Sequence, residues 1–191
     1  MSEIENIALF DLDGTLCDYD RKLFEDLEKL RGPQEHAHHP PLSASTPAHI
    51  LRRADLIKSQ EEWWATLPRF QLGWDILAIA RELNYRIMIL TQGAQRIPAC
   101  WSGKKKWIES NLGIDTEVTM TRDKGLIYGK VLVDDFPPYI EKWLKWRERG
   151  LVIMPAHTTN INYKHSQVIR YDGANLREVE KALRVARERT A

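Results

Sequence analysis

Ile7-Ala8-Leu9-Phe10-Asp11-Leu12-Asp13-Gly14-Thr15 places four apolar residues directly before two carboxylates and a turn-prone Asp-Gly pair. A short apolar run ended in this way predicts a buried strand that delivers Asp11 and Asp13 at its carboxyl end. Runs that are apolar throughout, in place of alternating ones, are expected where a sheet is parallel and covered on both faces. The pattern recurs along the chain. Arg86-Ile87-Met88-Ile89-Leu90 runs into Thr91-Gln92-Gly93, and Val131-Leu132-Val133 runs into Asp134-Asp135. Leu151-Val152-Ile153-Met154 is stopped by Pro155, and Glu117-Val118-Thr119-Met120 is a weaker member of the set.

Helical patterns fill the gaps: Trp74 to Leu83, Lys104 to Leu112 with Gly113 as C-cap, Pro137 to Arg149 followed by Gly150, and Asn175 to Arg189. Strand and helix in alternation predict a doubly wound α/β sheet with right-handed crossovers. Residues 18–70 interrupt the alternation. They hold a helix from Arg21 to Leu30, a Pro/His/Ser-rich loop from Gly32 to Pro47, and more helix from Ala48 to Leu67. This reads as a small helical cap inserted after the first strand, its long loop suggesting mobility. The catalytic core is then 1–17 with 71–191.

With 28 basic against 27 acidic residues in 191, the chain carries no electrostatic footprint for a membrane surface or long nucleic acid. A local anion site remains compatible with that balance. Cys17 and Cys100 form neither a CxxC pair nor a Cys/His ligand set, which argues against a disulfide framework and a zinc site. Met1 to Glu5 is acidic and lacks the order of a signal peptide, and no apolar run approaches a membrane span. A soluble, cytoplasmic protein is expected, and a homodimer is compatible with the sequence.

In open parallel sheets ligands bind beyond the carboxyl ends of the strands. That edge collects Asp11 and Asp13, Thr91 and Gln92, and Asp134 and Asp135, with Arg122 and Lys124 following the third strand. Four carboxylates in one cleft repel unless cations offset them, and hard oxygen donors suit Mg²⁺. The chemistry this predicts is phosphoryl transfer through an aspartyl-phosphate. Asp11 attacks phosphorus, while Asp13 protonates the leaving oxygen and later activates water. Thr91 and backbone amides near Gln92-Gly93 bind the phosphoryl oxygens, and Lys124 neutralises charge. Asp135, with Asp134 beside it, holds the metal. Each piece has a plainer reading: a DxDG turn, an Asp-Asp helix cap, a turn threonine, a solvated lysine. Their co-occurrence in order, each at a strand end, favours the catalytic account.

Asp11-Leu12-Asp13-Gly14-Thr15-Leu16, the strand ending at Thr91, Lys124 and the Asp134-Asp135 pair resemble the four motifs of the haloacid dehalogenase superfamily. The resemblance spans nearly the whole chain and implies a Rossmann-like core, a Mg²⁺ requirement and the roles just described. More narrowly, three segments are similar to the 5′(3′)-deoxyribonucleotidase family: Lys106-Trp107-Ile108-Glu109 with Asn111-Leu112-Gly113, Met120-Thr121-Arg122-Asp123-Lys124, and Gly129 through Asp135. This resemblance implies that Arg122 and Lys124 face phosphate. It implies Asp11, Asp13 (through its carbonyl) and Asp135 as metal ligands, and a nucleoside monophosphate as substrate. That family commonly has Thr-Ser or Thr-Asn after its second strand, where this chain has Thr91-Gln92.

Substrate selection is expected in the cap, where Trp63 or Trp64 can offer a ring to a nucleobase. Tyr19 and Phe24 are further candidates. Trp74, Trp107, Trp143 and Trp146 read as core. His36, His38 and His39 read as a solvated loop, and Lys104-Lys105-Lys106 as the exposed start of a helix. Two other functions fit the motifs: a phosphatase for another small ester or a nucleic-acid end, and a non-catalytic phosphoryl-accepting module. The second has no need of Asp13, which serves a leaving group.

Overall fold

The computed structural model describes residues 6–189. The expectation for Met1 to Glu5 lies outside them. Six strands form one all-parallel sheet in the order β3-β2-β1-β4-β5-β6: β1 Ile7–Phe10, β2 Arg86–Thr91, β3 Glu117–Met120, β4 Val131–Val133, β5 Leu151–Pro155 and β6 Val168–Tyr171. Helices α1 Tyr19–Lys29, α2 Ala48–Lys58, α3 Glu61–Ala65, α4 Gln71–Glu82, α5 Pro98–Leu112, α6 Pro137–Leu144 and α7 Leu176–Glu188 occupy the connections. The α/β fold class and the five expected strands are those observed.

The residues pack as two compact units. Among the described residues, the first comprises 6–16, Arg69–Gln92 and 117–189, and contains the whole sheet. Ile7, Leu9, Leu90, Leu132, Val152 and Met154 form a core with Ile140, Trp143 and Leu144 of α6. The intervening residues Ala8, Phe10, Ile89, Val131, Val133 and Ile153 are buried as well, so both faces of the sheet are covered, as their apolar sequences require. Tyr85, the residue before β2, donates its hydroxyl to the Leu183 carbonyl of α7 (2.7 Å), and Tyr171 of β6 donates its hydroxyl to Asp75 Oδ2 of α4 (2.9 Å).

β6 carries no apolar run. It is an edge strand, only partly buried over three of its four residues, and Arg170 interrupts its apolar pattern. α6 stops at Leu144, short of Arg149, where Lys145 N bonds the Glu141 carbonyl and the chain turns toward Gly150.

The second unit comprises Cys17–Pro68 and Gly93–Thr116. It unites the inserted segment with α5, whereas the expected boundary placed 93–116 in the core. Gly103 explains the grouping: a Cβ there would sit 2.5 Å from Trp64 Cβ, so α5 and α3 approach along a surface only glycine allows. α5 begins at Pro98, six residues earlier than expected, with proline in its first turn. The lysine run is therefore mid-helix. Lys104 is buried beside the Trp64 ring, and Lys106 pairs with Glu61.

The expected helix from 48 to 67 breaks at Ser59-Gln60, where Ser59 Oγ turns back to the Leu56 carbonyl and Gln60 is extended. The 32–47 loop is anchored at Glu35, which bonds Arg53 of α2 and the Gly32 N–H. His39 stacks on Phe24 (4.1 Å, 13°).

Both cysteines are buried free thiols, and no described helix is long and apolar enough to cross a membrane.

Candidate active site

Asp11 leaves β1 while its N–H still bonds the Val133 carbonyl (2.9 Å), which fixes its position against β4. The chain then turns tightly. Thr15 and Leu16 both donate to the Leu12 carbonyl, and Gly14 takes a positive φ of 73°. A side chain at Gly14 would meet the Asp135 carboxylate carbon at 2.6 Å, so the turn and that carboxylate share one space. Thr15 Oγ1 donates to Asp135 Oδ1 (3.1 Å). Behind the turn, α4 packs so closely that a Cβ on Gly73 would overlap the Thr15 carbonyl.

Lys124, fully buried, enters from the turn after β3. Its Nζ lies 2.9 Å from Asp11 Oδ1 and 2.6 Å from Asp134 Oδ2. Asp134 Oδ1 accepts the Phe136 N–H (3.0 Å), so both of its oxygens are engaged. Asp11, Asp134 and Asp135 each place an oxygen within 4.8 Å of the others, the only such group of three among the described residues. The histidines of the 32–47 loop form none.

The electrostatics follow from this crowding. Desolvation would lower the Lys124 ammonium, but Asp11 and Asp134 outweigh it and hold the pKa above the ordinary lysine value. Desolvation raises the Asp134 carboxyl to about 6, with Lys124 opposing and Asp11 adding. Asp135 is pushed well up by desolvation and by the charges of Asp134 and Asp11. One ammonium does not neutralise three clustered carboxyls. A set of hard oxygens short of positive charge is a donor set that fits a divalent cation.

The structure brings Asp11, Asp13, Thr91, Gln92, Lys124, Asp134 and Asp135 into one unit at the carboxyl edge of the sheet. Thr91 is buried at the end of β2, where its carbonyl accepts the Thr121 N–H (2.9 Å). Arg122 is exposed on the β3 turn, near enough for its charge to reach Tyr139. Gly93 belongs to the second unit, packed on the Trp101 ring.

Trp63 and Trp64 do not present a ring as expected. Both are buried in the second unit, edge to face with one another (4.9 Å, 89°). Their N–H groups are spent on Asp26 (2.8 Å) and the Lys58 carbonyl (2.7 Å), and Tyr19 packs against both rings. Two large apolar surfaces in a small unit are worth more as its core. Trp107 and Trp143 are core as expected, Trp74 is half-buried, and Trp146 is exposed.

Three residues outside the motifs complete the cluster. Tyr139, in the first turn of α6, donates its hydroxyl to Gln92 Oε1, with Lys124 Nζ 4.7 Å from its ring centre. His157, beyond β5, stacks on Phe70 and donates from Nε2 to the Gly14 carbonyl (2.6 Å). Asn160 is buried, and its Nδ2 donates to the Asp135 and Pro155 carbonyls (3.0 and 2.9 Å). Its Oδ1 accepts from the His157 N–H and from Arg170 Nε of β6 (3.0 and 3.1 Å). The one signal for His157 and Asn160 was position, because both follow a strand's carboxyl end.

No model of a known protein family matches the chain. Over 140 residues it is 24% identical to a Bordetella pertussis protein named "Putative 5′(3′)-deoxyribonucleotidase", spanning 69% of this chain and 74% of that one. The crystal structure of a "putative haloacid dehalogenase-like hydrolase" from Burkholderia xenovorans superposes with a TM-score of 0.52 at 15% identity, covering 94% of this chain and 99% of that one. A family IA, variant 3 hydrolase of the same superfamily from Entamoeba histolytica gives 0.50 at 15% identity, with the same 94% and 99% coverage. The six-stranded parallel sheet, with its acidic cluster at the carboxyl edge, thus has the fold of the haloacid dehalogenase-superfamily hydrolases.

Proposed function

We propose that this chain is a Mg²⁺-dependent phosphomonoester hydrolase acting on nucleoside monophosphates, with Asp11 as nucleophile. The observation that carries the reading is Lys124, buried and bridging Asp11 and Asp134 while Asp135 completes the acid cluster. A buried ammonium in that position neutralises a carboxylate and a phosphoryl group brought together.

Asp11 attacks phosphorus as the ester oxygen departs with a proton from Asp13, leaving an aspartyl-phosphate. Asp13 then takes a proton from water as that water attacks phosphorus, which frees orthophosphate and restores Asp11. Thr91 and the amide of Gln92 hold phosphoryl oxygens, and Arg122 draws the anion in from the rim. Mg²⁺, when bound by Asp11, Asp135 and the Asp13 carbonyl, neutralises charge on the phosphoryl group. Asp134, committed to Lys124 and the Phe136 N–H, positions the lysine.

The nucleotide part of the reading is supported by the Thr121-Arg122-Asp123-Lys124 segment and by the name of the Bordetella relative. With Trp63 and Trp64 buried, neither is assigned to the base. Phosphate release measured over ribo- and deoxyribonucleoside 5′- and 3′-monophosphates with Mg²⁺ tests it. A nucleotide turned over well ahead of sugar phosphates is expected; equal rates on unrelated esters would remove the nucleotide assignment.

A further inference from the structure

Tyr139 belongs to no motif, yet it connects two of them. It stands in the first turn of α6, directly after Asp134 and Asp135, and its hydroxyl reaches Gln92 at the end of β2. Its ring lies against Lys124, which enters after β3. The packing of α6 on the sheet is carried by Ile140, Trp143 and Leu144, and Tyr139 itself is only half-buried. The hydroxyl is therefore not needed to close the core.

Its partner is chemically two-faced. A glutamine amide has an oxygen that repels an anion and a nitrogen that donates to one, and the two ends exchange by rotation about the terminal bond. Tyr139 donates its proton to Oε1 and so decides which end lies where. A phenol carries its proton at neutral pH, and burial raises its pKa further against the pull of Lys124.

We propose that Tyr139 is a positioning residue that holds Gln92 with its amide nitrogen toward the phosphoryl oxygens. This deepens the phosphohydrolase reading and rests on it. It also gives a role to the glutamine that stands where serine or asparagine is common: the longer side chain needs an anchor, and α6 supplies one. The contact is made to phosphate in ground state and transition state alike, so it acts on affinity and leaves the chemical step alone.

The test is calorimetric binding of orthophosphate with Mg²⁺, beside steady-state kinetics, for the wild type, Tyr139→Phe, Gln92→Ala and the double variant. Losing one neutral hydrogen bond is expected to weaken orthophosphate binding about fivefold in Tyr139→Phe. KM should rise alike, with kcat and melting temperature kept. In the double variant, removing the hydroxyl should cost nothing beyond Gln92→Ala. Wild-type affinity in Tyr139→Phe, or losses that multiply in the double variant, overturn the proposal. A wild type that binds orthophosphate but releases none from any ester sinks the hydrolase reading while the binding comparison still decides this one. A wild type that binds no orthophosphate ends both.

Discussion

The Asp26 cluster of the second unit and the acid cluster at the sheet edge have electrostatics that run in opposite directions. In the second unit Asp26 accepts from Lys29 (2.7 Å) and from the Trp63 indole (2.8 Å), and it pairs with Lys22. Desolvation pulls its pKa up, but these donors win and hold it down at about 2. At the sheet edge one lysine serves Asp11 and Asp134, and desolvation wins: Asp134 rises to about 6 and Asp135 well above its usual value. Donors in excess make a structural carboxylate. Carboxylates in excess make a donor set that fits a divalent cation.

The largest effect expected is on turnover. Asp11→Asn keeps shape and removes the attacking oxyanion, so phosphate release should fall at least about 10³-fold. An unchanged rate would return the sheet edge to the same structural class as Asp26. Next comes Lys124→Met, which leaves buried carboxylates without their ammonium. Urea unfolding at neutral pH should show a loss of about 3–5 kcal/mol, shrinking as acid neutralises the carboxyls.

The third prediction uses the opposed shifts. Asp134 binds its proton more tightly folded than unfolded, so metal-free stability should fall as pH rises from about 4 to about 6. Mg²⁺ should reverse that fall, and thermal melts with and without chelator would reveal it. Asp26 has a depressed folded pKa, so its contribution is complete above about 4 and vanishes as pH falls toward 2. The smallest effect follows from this: Asp26→Asn should cost about 1–2 kcal/mol at neutral pH. The gap from wild type should close in acid, as Asp26 takes up its proton and its charged hydrogen bonds weaken.

The sheet was legible because a parallel strand buried on both faces must be apolar throughout, as Ile7–Phe10 and Val131–Val133 are. β6 escapes that rule as an edge strand that needs only partial burial. The acids were legible because each follows such a run directly. Tyr139, His157 and Asn160 were not, since a hydrogen bond to a distant carbonyl or amide leaves no periodic trace. The indoles misled in the other direction: Trp63 and Trp64 are a sensible aromatic platform by type, and only packing reveals that they fill the second unit's own interior.

The turn at Gly14 has a consequence in time. Its backbone is the mould for a carboxylate far along the chain, since Thr15 and Asp135 are 120 positions apart. A ribosome delivers Asp11 and its turn first and the carboxylate that fits the mould much later. On the proposed reading, the emerging chain would be inert toward phosphate esters through most of its synthesis, becoming competent only when the central sheet closes around β4.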